Sequence, residues 1–301
     1  MCKLTVCLTF DVDGMSAWIG SAKSNNPSVL SRGEFTVVGT PRVLALLAKK
    51  NIAATFYIPG HTAYAFPDLV KQIRDAGHEI GHHGWVHENP ADFDRTGEQR
   101  VLERGLEALH RVAGVRPVGY RSPAWDLSKD SLSMLGEFGF KYDSSCMAGD
   151  FNPYYARTGD SWGLDEPYKF GQILDLVEMP VNWALDDLVA FETYVGLMPG
   201  YVSPRAVETM WRDDFDFATE ECAYGVFILT MHPQCIGRGS RIRMLERLID
   251  HMQGIADIEF ATMKDYAAGW AAKNPVNSWK NQNPLRCGAG AISTLQRAMS
   301  I

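Results

Sequence analysis

Four short stretches of this chain place residues with acid–base or metal-binding chemistry at the ends of apolar runs. In Thr9-Phe10-Asp11-Val12-Asp13-Gly14, two carboxylates leave a hydrophobic run two residues apart, beside a glycine that lets the chain turn. Gly81-His82-His83-Gly84-Trp85-Val86-His87-Glu88 holds His83 and His87 four apart. That spacing predicts a helical turn with both imidazoles on one face, a good ligand pair for a divalent cation. His232 ends the apolar run Phe227-Ile228-Leu229-Thr230-Met231 and precedes Pro233, while Arg121 follows Val118-Gly119-Tyr120.

Each stretch has a plain structural reading as well. Asp13-Gly14 could be turn chemistry, the histidine spacing chance among eight histidines, His232 a satisfied core group and Arg121 a surface ion pair. Together those readings lose ground. Two histidines and an aspartate make three protein ligands with positions left open, which is the catalytic rather than the structural metal pattern. The other aspartate, a separate histidine and an arginine then supply a base, an acid and a charge partner. His78 and His82, off the predicted face, read as structural or supporting groups.

The elements that must position these residues alternate between strand and helix. Strands are expected at Leu4 to Phe10, Ile52 to Ile58, His78 to Gly81, Val118 to Tyr120, Lys141 to Asp143, Ile173 to Met179, Val226 to Met231 and Ile258 to Phe260. Helix signals lie between them. Thr40-Pro41 reads as N-cap plus first-turn proline, Pro67 opens a helix that Gly77 ends, and Thr96 with Gln99 resembles a capping box stopped by Gly114. Ser128 caps a helix ending at Gly139, Ser203-Pro204 starts another, Ser240 to Gln253 is helical, and a last helix starts at Thr262. Gly20 to Gly33 reads as a long loop. About eight β units separated by helices favour a parallel barrel or a doubly wound sheet, whose sites lie at the C-terminal ends of strands. Residues 1–273 are expected to form a single catalytic domain, with 274–301 as an irregular C-terminal extension.

Composition sets outer limits. The chain has 301 residues, 46% of them hydrophobic, and a formal charge of −7, which argues against nucleic acid or an anionic membrane surface as partner. No run of about 18 apolar residues predicts a membrane span, and the first residues lack a signal-peptide core. Six scattered cysteines read as reduced thiols, so a cytoplasmic protein is expected. Asn152-Pro153-Tyr154-Tyr155, read as an exposed aromatic loop, and the C-terminal arm point to a homo-oligomer.

Taken in order, these stretches resemble the polysaccharide deacetylase (NodB-homology, carbohydrate esterase 4) superfamily. Thr9 to Gly14 is similar to its first motif, Thr-Phe-Asp-Asp-Gly, with Val12 inserted. Ala54-Thr55-Phe56-Tyr57-Ile58-Pro59-Gly60 looks like its second strand, and Gly77 through His87 resembles its metal motif. Arg121-Ser122-Pro123 and Thr230-Met231-His232-Pro233 match two further motifs. The resemblance spans roughly residues 4 to 265. It implies a distorted (β/α) barrel with fewer strands than a full eightfold one. It also implies Asp11 as base, Asp13, His83 and His87 as metal ligands, Arg121 as partner of Asp11, and His232 as acid.

One motif departs from the pattern. Asp143-Ser144-Ser145-Cys146-Met147 stands where Asp-Ser-x-Asp-Trp is usual, without the second acid or the tryptophan. Glu178 and Asp186 are the stand-ins for the acid that orients His232, and Trp125, Trp162 and Trp183 are the candidates for pocket walls. The unsplit Asp-Val-Asp, the His-Glu-Asn-Pro at 87–90 and the Pro-Val-Asn-Trp-Ala-Leu-Asp-Asp run look like a cytoplasmic branch with peptidoglycan-deacetylase-like proteins, cyclic imidases and metal-free allantoinases. With the Asp13, His83 and His87 set intact, a divalent metal is expected, Zn2+ first with Co2+ or Ni2+ as alternatives, and a small amide or cyclic imide suits a cytoplasmic enzyme. The alternative substrate is an N-acetylated sugar. A third reading is a metal-retaining barrel that only binds a ligand, against which Asp11 and His232 stand, since binding needs neither base nor acid.

Overall fold

The computed structural model describes residues 4–193, 200–222 and 224–288. Among them run nine strands: β1 (Leu4–Asp11), β2 (Thr55–Ile58), β3 (Glu79–His82), β4 (Gly119–Tyr120), β5 (Tyr142–Asp143), β6 (Tyr154–Thr158), β7 (Gln172–Glu178), β8 (Gly225–Met231) and β9 (Ile258–Phe260). They form one curled sheet in the order β6-β7-β5-β4-β3-β2-β1-β8. Every neighbouring pair is parallel except β6 with β7. On β1, β2 pairs with Thr9 to Asp11 and β9 with Leu4 to Val6. Among the described residues no ladder joins β8 to β6, so the barrel is open there; the strands are not fewer than eight, as the resemblance implies, but nine, with β6 antiparallel and β9 off the main path.

β1 and β8 are buried along their whole length, which is why both read as unbroken apolar runs rather than alternating ones. One face of the sheet packs under helices through Leu8, Phe10, Phe56, Trp211, Leu229 and Leu248. The barrel interior is filled by a second group that includes Cys7, Tyr57, Tyr142, Tyr155, Val177 and Ile228. This interior carries polar links as well. Tyr57 Oη donates to Tyr142 Oη at 3.1 Å, and Tyr142 Oη donates to Glu79 Oε1 at 2.9 Å.

Several expected boundaries move. Gly20 to Gly33 is not a loop: Ala17–Ser21 forms a π-helical turn, and Asn26 caps a helix over Pro27–Glu34. The next helix starts at Thr36 rather than at Thr40-Pro41, with Pro41 inside it. Pro41 deprives the Val37 carbonyl of its partner, and Val37 is half-exposed, so water can serve that group. Gly39 explains why the helix lies where it does. A side chain there would meet the Pro233 carbonyl at 2.0 Å, so the helix backbone sits directly on the turn after His232. Asp94, not Thr96, caps the helix Arg95–Ala113, and the helix after Ser128 begins at Ser131 with Asp130 as its cap residue.

Tyr154 and Tyr155 also depart from expectation. They are buried in β6 rather than exposed in a loop, so the argument for self-association built on them does not stand. The described part of the C-terminal extension is not irregular: Val276–Gln282 is a helix. Its Trp279 is buried edge-on against Tyr155, and Tyr155 Oη donates to the Asn274 carbonyl at 2.9 Å. No described helix is long and apolar enough to cross a membrane.

Candidate metal centre

The C-terminal ends of β1, β3, β4 and β8 converge. Asp11 is the last residue of β1, and the chain then turns through Val12 to bring Asp13 back under the same opening. His83 follows β3 and His232 follows β8. Asp13, His83 and His87 each offer a ligand atom, all three atoms lying within 4.8 Å of one another. His83 Nε2 stands 3.4 Å from Asp13 Oδ1, and His87 Nε2 stands 3.7 Å from it.

The two histidines do not share a helical face. Gly84 to Val86 form a bend closed by the Glu88 carboxylate, which accepts from the N–H groups of Trp85 and Val86. His87 then takes a left-handed conformation with φ of 60°, and the two rings meet nearly at right angles with centroids 5.0 Å apart. The bend is braced from outside by the π-helical turn. Gly20 allows this approach, since a Cβ there would lie 1.9 Å from the Val86 carbonyl oxygen. Ser21 Oγ donates to the His87 carbonyl at 2.7 Å and lies 2.7 Å from His87 Nδ1. With its own proton given to the carbonyl, Ser21 Oγ accepts from Nδ1–H, which leaves Nε2 as the lone-pair nitrogen. His83 is set likewise: its Nδ1–H donates to the Arg121 carbonyl at 2.7 Å, and Nε2 faces Asp13.

A cation fits this arrangement. Asp13 Oδ1 and His83 Nε2 are buried without a hydrogen-bond partner, an expensive state for two acceptors unless a Lewis acid takes both lone pairs. Ligands about 2.0–2.1 Å from a tetrahedral Zn2+ lie about 3.3–3.4 Å from each other, close to the 3.4 and 3.7 Å found here. Burial works against charge on Asp13, yet His87, His232 and His83 outweigh it and hold this carboxyl well below the usual range. Burial lowers His87 to about 4, so it is neutral and free to ligate.

Around the three ligands stand the remaining sequence candidates. Asp11 Oδ2 is 3.8 Å from His83 Nε2, and Asp11 Oδ1 accepts from Arg121 Nη1 at 2.9 Å. Arg121 is fully buried, lies 4.3 Å over the Tyr57 ring, and also donates to Thr9 Oγ1 and to the Ser144 carbonyl and hydroxyl oxygens. On the other side, His232 Nε2 is 3.7 Å from Asp13 Oδ2. Burial opposes the His232 imidazolium, but Asp186, Asp13 and Asp187 raise its pKa well above the ordinary value.

The acid hydrogen-bonded to His232 is Asp187 rather than the expected Asp186 or Glu178. Asp187 Oδ1 is 2.7 Å from His232 Nδ1, whereas Asp186 Oδ1 is 4.0 Å away and caps Leu188 N–H instead. Glu178 does not reach His232 at all; its Oε1 accepts from the N–H groups of Ser145 and Cys146. Gln234, two residues beyond His232, was passed over in the sequence reading and donates to Asp13 Oδ2 at 3.4 Å. His82 is structural as expected: buried between Tyr120 and Phe140, it lies 3.1 Å from the Leu102 carbonyl.

The tryptophans divide. Trp125 and Trp183 lie ring against ring, tilted by 34° with centroids 4.0 Å apart, joining the turn after Arg121 to the turn before Asp186 and Asp187. Trp125 is buried, Trp183 is 41% exposed, and Ala124 and Trp125 both carry positive φ. Trp162 is exposed between β6 and β7, where it stacks on Tyr168 rather than on a site residue.

A polysaccharide deacetylase family model matches residues 2–142. The peptidoglycan deacetylase of Helicobacter pylori is 37% identical over 91% of this chain and 98% of its own. A peptidoglycan deacetylase-like protein of Gibberella zeae is 30% identical over 88% of this chain and 86% of its own. Among solved structures, a candidate polysaccharide deacetylase from Mycobacterium smegmatis superposes with a TM-score of 0.80 at 34% identity, covering 90% of this chain and 91% of that one.

Proposed function

This chain belongs to the polysaccharide deacetylase (NodB-homology, carbohydrate esterase 4) family of hydrolases of non-peptide carbon–nitrogen bonds, and we propose that it removes acetyl groups from N-acetylated sugars. The observation that carries this reading is the flanking of one cation site by two groups of opposite proton role. Asp11 stands 3.8 Å from His83 Nε2 on one side, and His232 stands 3.7 Å from Asp13 Oδ2 on the other. The descriptions of the relatives favour an N-acetylated sugar over the small amide or cyclic imide first expected.

Asp13, His83 and His87 would hold a divalent cation, Zn2+ by ligand type. A bound ion would supply Lewis-acid polarisation of the acetamido carbonyl and a lowered pKa for a water near neutral pH. Asp11 accepts the proton of the attacking water at Oδ2, while Oδ1 stays fixed by Arg121. His232 delivers a proton from Nε2 to the departing sugar nitrogen, and Asp187 on Nδ1 keeps the ring aimed and its positive charge stabilised.

The test is acetate release from N-acetylglucosamine oligomers by zinc-loaded protein, beside an EDTA-treated control and succinimide ring opening. Metal-dependent acetate release without ring opening supports the reading. Ring opening without acetate release overturns it in favour of an imide hydrolase. Asp11→Asn is expected to keep its zinc and lose turnover by a factor of about 10³ or more; an active variant removes Asp11 from the base role.

A further inference from the structure

The buried acids that this mechanism leaves unused meet in one place. Asp143 ends β5 and Glu178 ends β7, and the parallel register sets them side by side. Both are fully buried. Asp143 Oδ1 accepts from Ser145 Oγ at 2.8 Å, and Glu178 Oε1 accepts from the N–H groups of Ser145 and Cys146 at 3.0 and 2.9 Å. The remaining oxygens, Asp143 Oδ2 and Glu178 Oε2, have no hydrogen-bond partner. Ligand atoms of Asp143, Glu178 and Cys146 lie within 4.8 Å of one another.

Two ionised carboxylates this close in a dry interior repel each other strongly, and one proton held between them removes the repulsion. The cation nearest to hand does not do this work. Arg121, which follows β4, is committed to Asp11. Arg157 of β6, beyond Cys146, is paired with Asp160. The other titratable groups facing the pair are Cys146, Tyr154 and Tyr120, each raised by burial and therefore neutral. Burial, then Asp143, pushes Glu178 well above the usual carboxyl range, and burial raises Asp143 to about 6.

The pair holds a turn with a second task. Ser144 lies between the residues it anchors. The Ser144 carbonyl accepts from Arg121 Nε at 3.2 Å, and Ser144 Oγ accepts from Arg121 Nη2 at 2.9 Å. Ser145 Oγ also accepts from Ser122 N–H at 2.9 Å, fixing the residue after Arg121. We infer that Asp143 and Glu178 form a positioning pair bridged by one shared proton, and that it sets Asp11 through the Ser144–Arg121 contacts. The consequence for turnover rests on the proposed role of Asp11; the placement of Arg121 does not.

The experiment uses the full chain and needs no substrate. Its first readout is the infrared carbonyl stretch of buried carboxylic acids at neutral pH, from which a component present in the wild type is expected to be missing in Glu178→Gln, whose amide supplies the hydrogen permanently. The second is the exchange rate of the Arg121 Nε–H resonance, assigned by its loss in Arg121→Lys. Protection is expected in the wild type and in Glu178→Gln, with exchange at least about tenfold faster in Glu178→Ala. As pH rises, the wild type is expected to lose protection while Glu178→Gln keeps it. Absence of that carbonyl component, or the same alkaline loss in both proteins, overturns the proposal even if Glu178→Ala fails to fold. A protein that passes both readouts yet hydrolyses no acetamide overturns the proposed function and leaves the pair standing.

Discussion

Asp187 Oδ1 accepts twice from one residue, taking His232 Nδ1 at 2.7 Å and the His232 backbone N–H at 3.0 Å. The double contact fixes both the ring and the strand end that carries it, and it assigns the proton on Nδ1. Asp187→Ala is therefore expected to lower kcat by about 10²–10⁴ with the metal still bound, as removal of a histidine-orienting acid does elsewhere. Asp186→Asn keeps a residue able to cap Leu188 and is expected to cost far less. Steady-state kinetics on both variants checks the ranking. Equal losses would mean that the two acids act together.

Ser21 is predicted to tune the cation site from outside it. Its hydroxyl settles the tautomer of His87, and outer partners of this kind are worth about 10–100-fold in metal affinity. Ser21→Ala should show that loss in a competition titration with a zinc chelator, whereas His83→Ala or His87→Ala should bind no zinc at all. An unchanged zinc affinity in Ser21→Ala would show that the backbone alone fixes His87.

That Asp11, Asp13, His83, His87, Arg121 and His232 would gather at one place was legible in the sequence because strand ends can be read from apolar runs, and a parallel sheet gathers its strand ends. The local geometry was not. Four-residue spacing gives a shared face only in a helix, and nothing in Gly84-Trp85-Val86 announces that Glu88 will close a bend and that His87 will take positive φ. Asp186 and Asp187 were separable only once the helix Asp187–Phe191 was placed, since the residue before a helix caps it and the next one turns inward. Glu178 was misassigned because its partner Asp143 is 35 residues away and meets it only through β5–β7 register. Tyr154 and Tyr155 read as exposed because Asn-Pro is a turn signal, and the signal says nothing of the antiparallel strand that follows.

The metal-free protein should lose stability as pH rises above the neutral range. His232 has a folded pKa raised above its unfolded value of about 6.5. Its contribution is thus complete below about pH 6.5 and is lost as pH climbs through the folded value. Thermal melts of EDTA-treated protein from about pH 8, above the unfolded titration of lowered histidines such as His87, to about pH 10 should show a falling Tm, and His232→Gln should flatten the fall. A wild-type Tm that rises over this range would contradict the raised pKa.

Trp183 is expected to govern substrate affinity rather than the chemical step. It lies against Trp125 between the two turns that lead to Arg121 and to Asp187, and it keeps 41% of its surface open to a ligand. An aromatic face of this kind suits the apolar face of a sugar ring, and losing it forfeits ground-state and transition-state binding alike. Trp183→Ala is therefore expected to raise KM for N-acetylglucosamine oligomers about tenfold while kcat stays within about threefold. The lost ring contact costs about 0.5–1.5 kcal/mol of stability, a small Tm shift in a chain of this length. The opposite split, with kcat falling and KM unchanged, would mean that Trp183 works by placing Asp187 four residues on, and the ring pair would then belong to the acid rather than to the substrate.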